Sequence, residues 1–227
     1  MRHFVYFSRH GVTSGKTLSG DLMKAGRMDI AIHSFIQAVY LSNDFRKDVI
    51  FHFVLYGMPD PPKHIEIQVT EDSTISKKDV AGLIRKILYK SKGDTLKGTS
   101  KKIEVFPGCF VEKKSFLKVI EELRAPKGVQ PQGLREPASR PPSTEKKDLS
   151  EEGKRRTIFI LDKKGEDIRK AEIPDDSVFV LGDHDGLPEK ELRRLKKTAK
   201  VVNVGPKMYF ASQVVAVLNN ELDRREI

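Results

Sequence analysis

The chain has no tryptophan and only one cysteine, Cys109, among its 227 residues. One thiol excludes an internal disulfide and any zinc cluster built from thiolates. The six histidines (His3, His10, His33, His52, His64 and His184) follow no metal-binding spacing along the chain, and no bound metal is expected. Long apolar runs are missing too, since none approaches the ~20 residues that cross a bilayer. A strand-like run begins at Arg2, so the reading carries no signal peptide and no membrane span, and the expected location is cytoplasmic. Hydrophobic residues make up 38% of the sequence, enough at this length to bury one α/β core.

What the chain has in excess is positive charge: 42 Lys and Arg against 32 Asp and Glu, a net +10. A polyanion such as RNA gains affinity when these side chains neutralise its phosphates and release counterions. A solvated, Lys/Glu-rich surface of a heat-stable protein has the same composition, and charge alone leaves both readings open.

Apolar patterning predicts strands at His3–Ser8, Val49–Tyr56, His64–Thr70, Thr157–Leu161, Ser177–Leu181 and Lys200–Asn203. Helical spacing recurs over Asp29–Leu41, Lys77–Tyr89, Phe116–Leu123, Pro188–Thr198 and Ser212–Arg224, with Ser212 as a candidate cap of the last helix. In that helix Val214, Val215, Val217, Leu218 and Leu222 form an apolar stripe, and Asn219, Asn220, Asp223 and Arg224 a polar side. Strands alternating with helices imply an α/β fold, a mostly parallel sheet with helices on both faces. Residues 125–156 carry five prolines among charged and small residues, which reads as a flexible insertion within one domain spanning 1–227.

Three loops attract attention. Arg9-His10-Gly11-Val12-Thr13 follows the first strand and resembles a histidine-phosphatase signature, with His184 as a candidate partner. Gly15-Lys16-Thr17 resembles the end of a phosphate-binding loop, but Gly11 and Gly15 enclose three residues where four are needed to wrap the phosphates. Gly182-Asp183-His184-Asp185-Gly186 follows a buried-looking strand; ligands of open α/β sheets bind at such places, although the same residues also make an ordinary turn.

Read with this last loop, three further stretches are specific. They are Leu41-Ser42-Asn43-Asp44-Phe45-Arg46-Lys47-Asp48-Val49 leading to Leu55-Tyr56-Gly57-Met58-Pro59-Asp60-Pro61-Pro62, then Gly165-Glu166-Asp167-Ile168, then Gly205-Pro206-Lys207-Met208-Tyr209-Phe210-Ala211-Ser212. In this order they resemble the archaeal tRNA pseudouridine-54 N1-methyltransferase family, TrmY. The resemblance implies a SPOUT fold whose C-terminal segment threads a trefoil knot, S-adenosylmethionine as cofactor, tRNA as partner, and a homodimer. The related rRNA enzyme and a catalytically inactive RNA-binding protein are the alternatives.

Carried over by position, the resemblance places the cofactor against Leu161, Gly182, Asn203, Val204, Gly205, Pro206, Lys207 and Met208. Where the family has a His-Cys pair at the start of the last helix, this chain has Gln213-Val214, so a role for that cysteine cannot apply, while Val214 retains an apolar contact. Gly26-Arg27-Met28-Asp29 matches a Gly-Arg-x-Asp element. There Asp29 orients or accepts the N1 proton and Arg27 holds a phosphate or base carbonyl, or Asp29 merely favours the helix start. Arg9, Lys16, Arg46 and Lys47 are the further candidates for RNA contact.

Overall fold

A computed structural model describes residues 1–18, 20–70, 75–91, 101–125 and 155–227. The expected flexible insertion therefore lies, apart from its first and last residues, outside the described residues. Eight strands form one sheet in the order β4-β5-β3-β2-β1-β7-β6-β8.

The centre of the sheet is β1 (Arg2–Ser8), buried at every position. Its apolar run suits a strand covered on both faces. It pairs in parallel with β2 (Val49–Leu55) on one side and β7 (Val178–Gly182) on the other. Beyond β7 follow β6 (Ile158–Asp167) and β8 (Lys200–Asn203), also parallel. On the opposite flank β3 (Lys63–Gln68), β5 (Cys109–Glu112) and β4 (Ile103–Phe106) are antiparallel. The mostly parallel sheet is as expected, whereas the β4–β5 hairpin is an addition to the sequence reading.

Helices cover both faces. Side chains of α1 (Met28–Val39), α2 (Val80–Lys90) and α5 (Ala211–Arg224) join the larger apolar cluster with Phe4, Tyr6 and Phe51. Those of α3 (Phe116–Arg124) and α4 (Glu189–Leu195) join the smaller one with Val5, Phe7 and Val180. The stripe of α5 divides: Val215, Leu218 and Leu222 are buried, while Val217 is exposed. Burying such side chains contributes roughly 1.5–3 kcal/mol each.

Two sequence expectations about α5 are corrected. Ser212 does not cap it; the helix begins after Phe210, whose backbone N–H donates to Gln213 Oε1 at 2.9 Å. Asn219 is not on a polar side but buried. Its amide donates to the carbonyls of Gln37 and Ala38 at the end of α1, both at 3.1 Å, and its oxygen accepts from Arg2 at 3.2 Å. Orphan helix-end carbonyls are thereby satisfied by a side chain from 181 or more residues away.

β6 also runs further than expected. Leu161 pairs with Val202 of β8, the chain makes an excursion, and Glu166 meets Val202 again before Asp167 pairs with Asn203. At the crossing any Cβ on Gly165 would overlap the backbone of Val201 and Val202. The Asn203 amide donates to the Gly165 carbonyl at 2.5 Å, which fastens the two segments together.

Candidate active site

The carboxyl end of β7, the middle of β6 and the segment leading into α5 enclose a cavity of about 570 Å³, within the range of small-molecule sites. Ile160, Leu161, Leu181, Leu187 and Val214 supply apolar wall, and the loops at Gly182–Gly186 and Met208–Ala211 close two sides. A smaller recess of about 100 Å³ adjoins it, sharing Leu161, Met208 and Val214 and reaching Asn203, Val204, Gly205 and Lys207. Eight of the nine residues that the resemblance assigns to the cofactor thus surround two connected hollows; Pro206 alone does not line them.

Each loop has a local reason for its path. Gly182 lies so close to the returning chain that a Cβ there would stand 2.5 Å from the Gly186 carbonyl carbon. Asp183 holds the turn: its carboxylate accepts from the Arg9 N–H at 2.9 Å, the Ser8 hydroxyl at 3.2 Å and the Asp185 N–H at 3.0 Å. This buried carboxylate joins the ends of β1 and β7. On the third loop Asn203 Oδ1 accepts from the Gly205 N–H at 3.0 Å, and Gly205 has a φ of +146°, which favours glycine. Gln213 caps α5, so its side chain serves the helix start while Val214 faces both hollows.

Neither Arg27 nor Asp29 lines the hollows; they precede Ile30, which lines the larger one. Arg27 donates from Nε and one terminal nitrogen to the two oxygens of Asp29, both at 3.0 Å. That pair lowers the Asp29 pKa, burial opposing the effect. Asp29 and Asp183 also act together on Tyr6. Burial first, then these two carboxylates, push the Tyr6 hydroxyl well above its ordinary value. The hydroxyl has no hydrogen-bond partner among the described residues. The α1 start and the Gly182 loop thus flank one buried phenol.

Of the RNA candidates, Arg9 and Lys16 are exposed on the segment that follows β1 at this end of the sheet. The loop is braced from behind, since Gly57 N–H donates to the Gly11 carbonyl at 2.9 Å and the Thr13 hydroxyl donates to the Gly57 carbonyl at 2.8 Å. Arg46 and Lys47 precede β2 and so lie at the opposite end of the sheet. Both terminal nitrogens of Arg46 donate to Asp223 at 2.7 Å, a carboxylate that also holds Arg2. The structure ties Arg9 to Asp183 at the cavity wall, places Lys16 next to Gly15, which packs against Arg85 and Tyr89 of α2 on the other flank, and leaves Arg46 and Lys47 at the opposite end of the sheet.

The phosphate-binding-loop motif does not find its architecture, whereas the two histidines of the phosphatase-like motif do come together. Among the described residues no helix follows Gly15 until Met28, so the loop has no helix N-terminus there to face a phosphate. His10 lies 3.3 Å from Asp185, and its ring is 6.5 Å from that of His184, all at the rim of the cavity. Asp183 and the aromatic pair Tyr209 and Phe210 were absent from the sequence-based site. Asp183 stood in a quoted motif, but its bonds to β1 depend on strands about 175 residues apart. Among the described residues no helix is long and apolar enough to cross a membrane.

The chain is similar to known proteins along its whole length. A protein of Pyrococcus abyssi named tRNA (pseudouridine(54)-N(1))-methyltransferase is 32% identical, the match covering 99% of this chain and 98% of that one. One of Vibrio campbellii, named "Putative pseudouridine methyltransferase", is 29% identical over the whole of both chains. The crystal structure of Archaeoglobus fulgidus Nep1 bound to S-adenosylhomocysteine superposes with a TM-score of 0.56 at 14% identity, covering 98% of this chain and 97% of that one, and so shares the fold. Residues 1–130 and 145–227 match the family described as "Putative SAM-dependent RNA methyltransferase", and the chain belongs to that family.

Proposed function

We propose that the protein transfers a methyl group from S-adenosylmethionine to N1 of pseudouridine in tRNA, at position 54 of the T-loop. The observation that carries this reading is that the Gly182–Gly186 loop lines the larger hollow, Asn203, Val204, Gly205 and Lys207 line the recess beside it, and Met208 lines both, in a chain whose full-length relatives bear that activity in their names. The residues fit the cofactor: an apolar slot of suitable size, walled by Ile160, Leu161, Leu181, Leu187 and Val214, with loop backbone at Gly182–Gly186 beside it. The cofactor supplies a methyl group already activated on a sulfonium. The protein's task is then chiefly to position the nucleophile.

Asp29 and Arg27 are the residues for that task. Arg27 keeps Asp29 ionised, so Asp29 serves as a fixed hydrogen-bond acceptor for the N1–H of the base rather than as a strong base. The outer face of Arg27, with Arg9 and Lys16, takes the RNA phosphates, and the target base is flipped out of its loop to reach the cavity. Arg46 and Lys47, at the far end, are reserved for more distant parts of a folded tRNA. The excursion of β6 across β8 is where a trefoil knot threads in this reading, within one domain. Met208 and Phe210, exposed at 79% and 63%, together with Val217 form an apolar rim that a second copy of the chain covers in a homodimer.

The test is incubation with labelled S-adenosylmethionine and tRNA carrying pseudouridine at position 54, followed by mass-spectrometric mapping. Label on N1 of that nucleotide is the expected result. Label confined to rRNA fragments would overturn the choice of substrate. Good tRNA affinity with no heat of cofactor binding would show an RNA-binding protein without catalysis.

A further inference from the structure

Histidines that are scattered along the chain meet on the other half of the sheet. His3, His52 and His64 come from β1, β2 and β3, and none is more than 4% exposed. Their rings form a row: His3 Nδ1 is 3.2 Å from His52 Nε2, and His52 Nδ1 is 3.0 Å from His64 Nε2. The row ends on β5, where His64 Nδ1 lies 2.8 Å from Glu112 Oε1, itself held by Lys114 at 2.8 Å. None of these residues lines the cavity.

Strand register adds a third ligand atom. His52 stands opposite Glu66 in the antiparallel β2–β3 pair, and His64 precedes Glu66 by two on the same strand, so all three side chains share one face. Glu66 Oε2 is 3.7 Å from His52 Nδ1, and one ligand atom from each residue lies within 4.8 Å of the others. Lys102 binds the other Glu66 oxygen at 2.8 Å and fixes the rotation of the carboxylate.

We propose that His52 Nδ1, His64 Nε2 and Glu66 Oε2, with a water molecule as fourth ligand on the partly exposed Glu66 side, form a site for a divalent cation of the zinc class. The surroundings are those of a metal-binding histidine pair. Glu112 accepts the Nδ1 proton of His64 and so leaves the Nε2 lone pair facing the site, as an outer carboxylate does in metal centres. In the cation-free row His52 Nδ1–H donates to that lone pair. When the cation enters, the His52 proton passes to Nε2 and donates to His3 Nδ1, while the His3 proton passes to Nε2, which faces Asp176 Oδ1 at 3.5 Å. Three imidazole protons are present before and after, and none is released. At zinc–nitrogen distances near 2.0–2.1 Å, tetrahedral ligands stand about 3.3 Å apart, so the two nitrogens need part by only a few tenths of an ångström. The site was hidden in the sequence because its ligands are assembled by strand pairing and not by spacing along a helix or loop.

The test uses the full-length protein, dialysed against a chelator and titrated with cobalt(II) and then zinc(II). One equivalent should bind, with the visible absorption of tetrahedral cobalt, and zinc should raise the melting temperature by about 5 °C. Glu66→Gln, a change at a partly exposed residue, and His64→Gln should each weaken binding at least tenfold. His184→Ala, which breaks the separate Asp183-His184-Asp185 group at the cavity rim, should leave it unchanged. No binding to the wild-type protein, or binding lost in His184→Ala and kept in Glu66→Gln, overturns the proposal. Circular dichroism on each variant separates lost ligation from lost folding.

Discussion

Arg27 grips both carboxylate oxygens of Asp29 from a backbone with φ of 59°, two residues upstream on the same turn. A positive φ is strained for arginine, and here the strain coincides with an ion pair at the start of α1. The consequence for pH follows from its sign. Because Arg27 lowers the Asp29 pKa, the carboxylate stays ionised below the usual range for aspartate, and activity should persist into mild acid. In Arg27→Ala the Asp29 pKa rises and the acid limb of the kcat/KM profile moves to higher pH. Asp29→Asn should lower kcat by about 10²–10³-fold with cofactor affinity retained. An unchanged limb in Arg27→Ala, read from methyl transfer across pH, would contradict the coupling.

Tyr6 gives a stability prediction. A buried hydroxyl without a partner costs about 1–3 kcal/mol, and Tyr6 is buried with none among the described residues. Tyr6→Phe removes the hydroxyl and keeps the ring, so urea unfolding should show a gain of about 1 kcal/mol. A loss of that size would mean that a water molecule or bound ligand satisfies the phenol in solution.

The strands and helices were legible because most bury an apolar stripe or run, and the loops behind Gly182 and Asn203 were legible through their motifs. What escaped depends on distant partners. The polar second half of β6, Asp162–Asp167, has nothing strand-like in its residues and is extended because β8 offers it backbone partners. The short hairpin strands β4 and β5 give four residues each, too few for a period to stand out. Arg46 looked available for RNA, and only the fold brings Asp223 to it across 177 residues. The buried histidine row is of the same kind, since antiparallel register puts His52 beside His64.

Cys109 should be inert in the folded protein. It is fully buried, and burial first, then the nearby Glu104 charge, raises its pKa to about 11. Thiolate is the reactive form, so maleimide at pH 7 should label the protein only after denaturation. Labelling of the native protein at a rate near that of a free thiol would show that β5 opens readily.

Gly26 should tolerate no side chain. Its φ is +73°, and a Cβ would overlap the His10 carbonyl oxygen, so Gly26→Ala must move either the α1 start or the loop after β1. A loss of more than ~2 kcal/mol of stability is expected, together with weaker tRNA binding, measured by denaturation and filter binding. Gly20→Ala is the comparison: it also has positive φ, but among the described residues nothing lies within 4 Å of its Cβ, so its penalty should be smaller.

Gly182→Ala tests the cavity most directly. The added methyl would meet the backbone of Gly186 and Leu187 at 2.5–2.7 Å, and backbone on the far side of a tight loop cannot rotate away as a side chain could. The loop must therefore widen, and it widens at the wall of the hollow that Gly182 and Leu187 both line. Asp183 resists this movement through its bonds to Ser8 and Arg9, so part of the strain passes to β1. Calorimetry should show affinity for S-adenosylhomocysteine weakened by tenfold or more, equivalent to about 1.4 kcal/mol, in a protein whose circular dichroism is unchanged. Affinity equal to the wild type in a folded Gly182→Ala protein would mean that the cofactor does not rest on this loop, and the assignment of the cavity would fail with it.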